Sequence, residues 1–134
     1  MAQTEQKNQN VKKQFEELQS LLERAMALQT SMVLFEWDDE TLAPKGAVEH
    51  TARVIGSLSE QYQEILASMR FKELLDACQK AEKENAGVFD EVQSAILREA
   101  AEEQERLSCI PPEEYRAYAE LTARATGIWT RARE

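Results

Sequence analysis

Along most of this chain apolar positions return every three or four residues, the spacing that sets side chains on one face of an α-helix. From about Gln9 to Glu36, Val11, Phe15, Leu18, Leu22, Ala25 and Met32 follow alternating steps of four and three, broken only by Gln29. Lys12, Lys13, Glu16, Glu17, Glu23 and Arg24 occupy the other face, as solvent contact requires. A second helix is predicted after Pro44-Lys45-Gly46, with Val54, Leu58, Tyr62, Ile65 and Met69 at the same spacing. A third, shorter one uses Phe71, Leu74, Leu75, Cys78 and Ala81. It fades into Lys83-Glu84-Asn85-Ala86-Gly87, where Gly87 suits the left-handed conformation that stops a helix.

The fourth helix, from about Val88 to Ser108, is expected to bury Val92, Ile96, Ala100 and Leu107. Ile110-Pro111-Pro112 breaks the pattern, because proline lacks an amide proton and restricts its predecessor. Pro112-Glu113-Glu114 then opens a fifth helix, with proline in the first turn and acids at the positive end of the dipole. Tyr115, Tyr118, Leu121, Thr122, Ala125 and Trp129 continue it as a core-like stripe. No strand pattern competes. The expected fold is all-α, with about five helices: a long antiparallel hairpin (roughly 9–36 and 46–69) followed by three more. Residues 1–8 read as a flexible N-terminus and 9–134 as a single helical domain. Trp129 to Glu134 shows no glycine, proline or polar tail, so the last helix reads as cut and the chain as part of something longer.

Composition narrows the function classes. The 134 residues are 43% apolar and 31% charged with only 4 Gly and 3 Pro, the balance of a folded helical protein. A net charge of −9 repels nucleic-acid phosphates and anionic membrane surfaces, so neither is an expected partner. The longest apolar run, Met32–Phe35, is far too short to span a bilayer, and the polar start MAQTEQKNQN holds no signal-peptide core. A cytoplasmic location follows, with Cys78 and Cys109 as two reduced, packed thiols.

His50 is the only histidine. An H-E-x-x-H zinc helix is therefore excluded, and Ala47 stands where a Glu-x-x-His di-metal motif would need its glutamate. Every Ser-His or Cys-His pair would have to use His50, which reads as a surface or packing residue. The glycines at 46, 56, 87 and 127 are isolated, so no phosphate loop exists. No catalytic and no metal-binding residue is assigned.

The stretch FEWDDETLAPKG, Phe35 to Gly46, concentrates the remaining chemistry. Glu36 and Glu40 form an i,i+4 pair at the last turn of the first helix, while Asp38, Asp39 and Thr41 suit loop and capping positions. Oxygen ligands alone could hold a divalent cation, but the spacing is not that of a D-x-D-x-D-G calcium loop. The plainer reading is a structural corner with Trp37 packed where two helices meet.

The ordered set of segments resembles the N-terminal part of the carboxypeptidase Taq-type zinc metallocarboxypeptidases. In that family a long first helix ends in W-D-x-x-T-x-x-P followed by glycine, and a second helix proceeds to a Leu-Ser pair. Here these are Trp37, Asp38, Thr41, Pro44, Gly46, Glu49, Leu58 and Ser59. Later come Arg98, then Ile110-Pro111, then a helix with Trp129, Ala132 and Arg133, so the resemblance runs from about Phe15 to Arg133. Ala43 departs from the methionine many members carry.

The resemblance implies an all-helical, generally homodimeric enzyme several times longer, which removes C-terminal amino acids from peptides using zinc or another divalent transition metal. In that chemistry the metal polarises the carbonyl and activates water, and the motif glutamate serves as base. It assigns to this chain the helical portion that flanks the substrate groove, with no catalytic or metal residue carried over. The expected partners are the catalytic portion, a second copy through self-association, and peptides in the full-length enzyme. The rival reading is a free-standing acidic helical protein–protein interaction module, because long heptad-like helices recruit partner helices readily.

Overall fold

The computed structural model describes residues 1–133, with the backbone only at residues 2–4. Five α-helices follow in order: α1 (Ala2–Thr41), α2 (Val48–Leu66), α3 (Met69–Glu84), α4 (Glu91–Ser108) and α5 (Pro112–Ala132). A single 3-10 turn, Lys45–Ala47, precedes α2, and no strand occurs among the described residues. The all-α expectation holds. Helix α1 is longer than its apolar seam suggests, since it begins at Ala2 and runs to Thr41. The expectation of a helix continuing through the last residue falls, for Glu134, outside the described residues.

The helices group into two compact units, residues 1–23 with 65–109, and residues 24–64 with 110–134. The first unit holds most of the large buried side chains. Val11, Phe15 and Leu18 of α1 are buried there, as are Phe71, Leu74, Leu75, Cys78 and Ala81 of α3, all at the expected spacing. The Phe15 and Phe89 rings meet at 5.1 Å in a tilted pair, a geometry favoured by the ring quadrupoles. Exposed pairs clip its edges: Lys7 to Glu84 at 2.7 Å, and Arg70 forked onto both oxygens of Glu17 at 2.8 and 2.6 Å.

Helix ends in this unit are set by side-chain caps. Ser68 adopts an extended conformation and its hydroxyl accepts from the Phe71 amide, which starts α3 at Met69. Met69 therefore belongs to α3 rather than α2, and it is exposed. Asp90 and Gln93 form a reciprocal capping box at 2.8 and 3.0 Å, so α4 starts at Glu91 and not near Val88. A cap of this kind is worth about 1 kcal/mol. Gly87 does not take the left-handed conformation expected of it: no described residue has a positive φ, and α3 ends at Glu84 with Asn85 extended.

The buried register of α4 also differs from expectation. Leu97, Ala100, Gln104 and Leu107 are buried, Ile96 is half-buried and Val92 is exposed. Cys109 is exposed as well, so only Cys78 is a packed thiol.

The second unit is built differently. Its buried residues are mostly small or polar: Ala25, Thr51, Ala52, Ile55, Ser59, Tyr62 and Gln63. In α2 the expected core positions Val54 and Leu58 are only half-buried. Glycines allow close approach instead. A Cβ on Gly127 of α5 would lie 2.6 Å from a methyl of Val48, and one on Gly56 would lie 2.3 Å from Cγ of Glu120. The pairing of Val48 with Gly127, Gly56 with Glu120 and Gln63 with Ile110 makes α5 antiparallel to α2.

Candidate functional site

Within the second unit, α2 lies between the last part of α1 and α5. The seam between α2 and α5 is charged. Glu120 accepts from Arg116 at 3.0 Å and from Arg124 at 3.1 Å, while Arg116 also reaches Glu60 at 2.9 Å. Arg124 forks onto both oxygens of Glu49 at 2.8 and 2.9 Å. Those bonds stabilise the charged forms, so the Arg124 guanidinium holds the Glu49 carboxyl below its ordinary value, and the arginines are raised. The seam holds helices in register and offers no unoccupied charge for chemistry.

The far side of α5 carries the residues expected in the core. Tyr118 is 67% exposed and Trp129 65% exposed, with Leu121 and Ile128 beside them. The inward positions are Ala119, Glu120, Ala123, Arg124 and Gly127. Of the expected stripe, Tyr118, Leu121, Thr122, Ala125 and Trp129 are exposed, and Tyr115 is half-buried. A second signal, the small residues at 119, 123 and 127 spaced for helix contact, marks the true inner face.

The Phe35–Gly46 corner likewise departs from expectation. Glu36, Asp38, Asp39 and Glu40 are all within α1, and none occupies a loop. The helix closes with the Leu42 and Ala43 amides donating to the Asp38 carbonyl at 2.9 and 2.8 Å, and the Thr41 hydroxyl donating to that of Trp37 at 2.6 Å. Pro44 then caps the 3-10 turn that leads into Val48. Trp37 does not pack into this corner; it is 57% exposed. Gly46 has open space around it and an ordinary φ, so this turn does not require glycine. His50 is exposed on α2, and Pro111 caps α5 with φ −58°.

Between α1 and α5, over α2, runs an open cleft of about 500 Å³. Met32, Val33, Glu36, Asp39 and Glu40 line it from α1, Ile55 and Ser59 from α2, and Tyr115, Tyr118, Thr122 and Thr126 from α5. Ser59 donates to the Met32 sulfur at 3.0 Å, and Thr122 and Thr126 donate to carbonyls of their own helix. Sequence reasoning named the acids but missed the cleft, because it forms only where α1 and α5 flank α2.

Among the described residues no group of three or more His, Cys, Asp or Glu side chains could hold a metal ion. No helix among them is long and apolar enough to cross a membrane.

Comparison with known proteins agrees with the ordered motifs. The model of the family described as carboxypeptidase Taq (M32) metallopeptidase matches residues 17–134. Carboxypeptidase 1 of Bacillus subtilis (strain 168) is 33% identical over 113 residues, which cover 84% of this chain and 22% of that protein. A crystal structure described as BsuCP superposes with a TM-score of 0.80 at 32% identity, covering 90% of this chain and 23% of that one. The chain thus spans less than a quarter of the length of these relatives.

Proposed function

Because the chain belongs to the carboxypeptidase Taq (M32) metallopeptidase family, we propose that it is the N-terminal helical scaffold of a metal-dependent carboxypeptidase. In this reading it flanks the groove where a peptide loses its C-terminal amino acid, and it is not catalytic by itself. The observation that carries the reading is the coverage. The family match takes in residues 17–134, yet the 113 residues that match the curated relative account for 22% of it.

The residues present do not fit the zinc, or other divalent transition metal, that the family implies. His50 is the only histidine and is exposed, and no H-E-x-x-H lies in the 134 residues. A hydrolytic centre needs about three protein ligands held together. No step of the reaction is therefore assigned to this chain. Its contribution is to position: the ion pairs of Arg116 with Glu60 and Arg124 with Glu49, and the two glycine contacts, join α5 to α2. The outward stripe of Tyr118, Leu121, Ile128 and Trp129 offers an apolar surface to a catalytic portion, or to a second copy when the chain is alone. Peptides are substrates only of the whole enzyme. A cytoplasmic setting is part of this reading, and the −9 charge speaks against nucleic acid or anionic membrane partners.

A chimaera tests this. Replacing the matching segment of the Bacillus Carboxypeptidase 1 with residues 17–134 should give a protein that releases C-terminal amino acids when loaded with metal. A folded chimaera that binds metal but turns over no peptide would count against the scaffold role. The second reading, an acidic helical interaction module, is favoured by the exposed apolar stripe on α5; it predicts partner binding with no gain from the catalytic portion.

A further inference from the structure

We draw no further inference here: the strongest candidate, the open cleft over α2 between the last part of α1 and α5, lies in a chain that spans less than a quarter of its relatives' length, and nothing in the structure shows what covers it.

Discussion

Replacing Gly127 with alanine separates two effects of opposite sign. In a helix interior alanine is favoured over glycine by about 1 kcal/mol, so an unobstructed site would gain stability. Here the new methyl would lie 2.6 Å from one methyl of Val48 and 3.0 Å from the other, well inside the 3.5–4.0 Å optimum for carbon atoms. Overpacking of this kind costs about 1–3 kcal/mol. The clash outweighs the gain, and Gly127→Ala should destabilise by about 1 kcal/mol, lowering the melting temperature by roughly 3–5 °C. Val48→Ala removes both methyls and leaves the Val48 Cβ at 3.4 Å, a distance the neighbours can absorb. In that background Gly127→Ala should instead stabilise by about 0.5–1 kcal/mol. The coupling between the two sites is then about 2 kcal/mol. Urea unfolding of the four proteins of the cycle, followed by helical circular dichroism, measures it. A Gly127→Ala protein more stable than the parent by the full helical gain would refute the close approach of α5 to α2.

Gly46→Ala makes the contrasting case: with open space and no positive φ, it should be neutral or gain about 0.5 kcal/mol by restricting the unfolded chain, read by the same unfolding curves. Hydrogen bonds and charge from Arg70, Arg124 and Lys7 hold Glu17, Glu49 and Glu84 below the ordinary carboxyl value of 4.5. A depressed carboxyl contributes stability above the unfolded value and loses it as pH falls, so melting temperature should drop below about pH 4.5 and drop less at high salt. Burial pushes the Cys78 thiol up to about 11, whereas Cys109 is exposed. A thiol reagent at pH 8 should therefore modify one cysteine at once and the second only on unfolding, with mass spectrometry of peptides assigning Cys109 as the fast site. The raised Cys78 value also predicts stability lost as pH climbs from about 9 towards 11, because only the unfolded chain then sheds the proton.

How much of this was legible in the sequence depends on what each helix meets. In α3 every apolar position of the stripe, from Phe71 to Ala81, is buried, because one apolar face met one core. In α5 two stripes lie on opposite faces, and periodicity does not say which one a neighbour covers. The outer one is large and apolar, and the inner one is made of Ala119, Ala123 and Gly127 with charged residues between. Close helix contact through small side chains is a packing choice that a hydrophobicity pattern misreads. In α4 the polar Gln104 sits in the buried seam, which disguised the register through Leu97 and Leu107.

The corner shows a different failure. Asp38, Asp39 and Thr41 resemble loop and capping residues by type, yet they end a helix, where Thr41 bonds back to the Trp37 carbonyl. The ordered motifs were nonetheless enough to find the family, since Trp37, Asp38, Thr41, Pro44 and Gly46 keep their spacing whatever their local conformation. The cleft was not legible at all, because it joins residues about 90 positions apart, such as Val33 and Tyr118.

The account rests on this polypeptide lacking a hydrolytic centre of its own. Purified chain equilibrated with zinc or cobalt, desalted, and then assayed both for bound metal and for hydrolysis of acyl-dipeptides tests that in one preparation. The expected result is substoichiometric metal and no release of the terminal amino acid; one tightly held metal ion per chain with clear turnover would contradict the account.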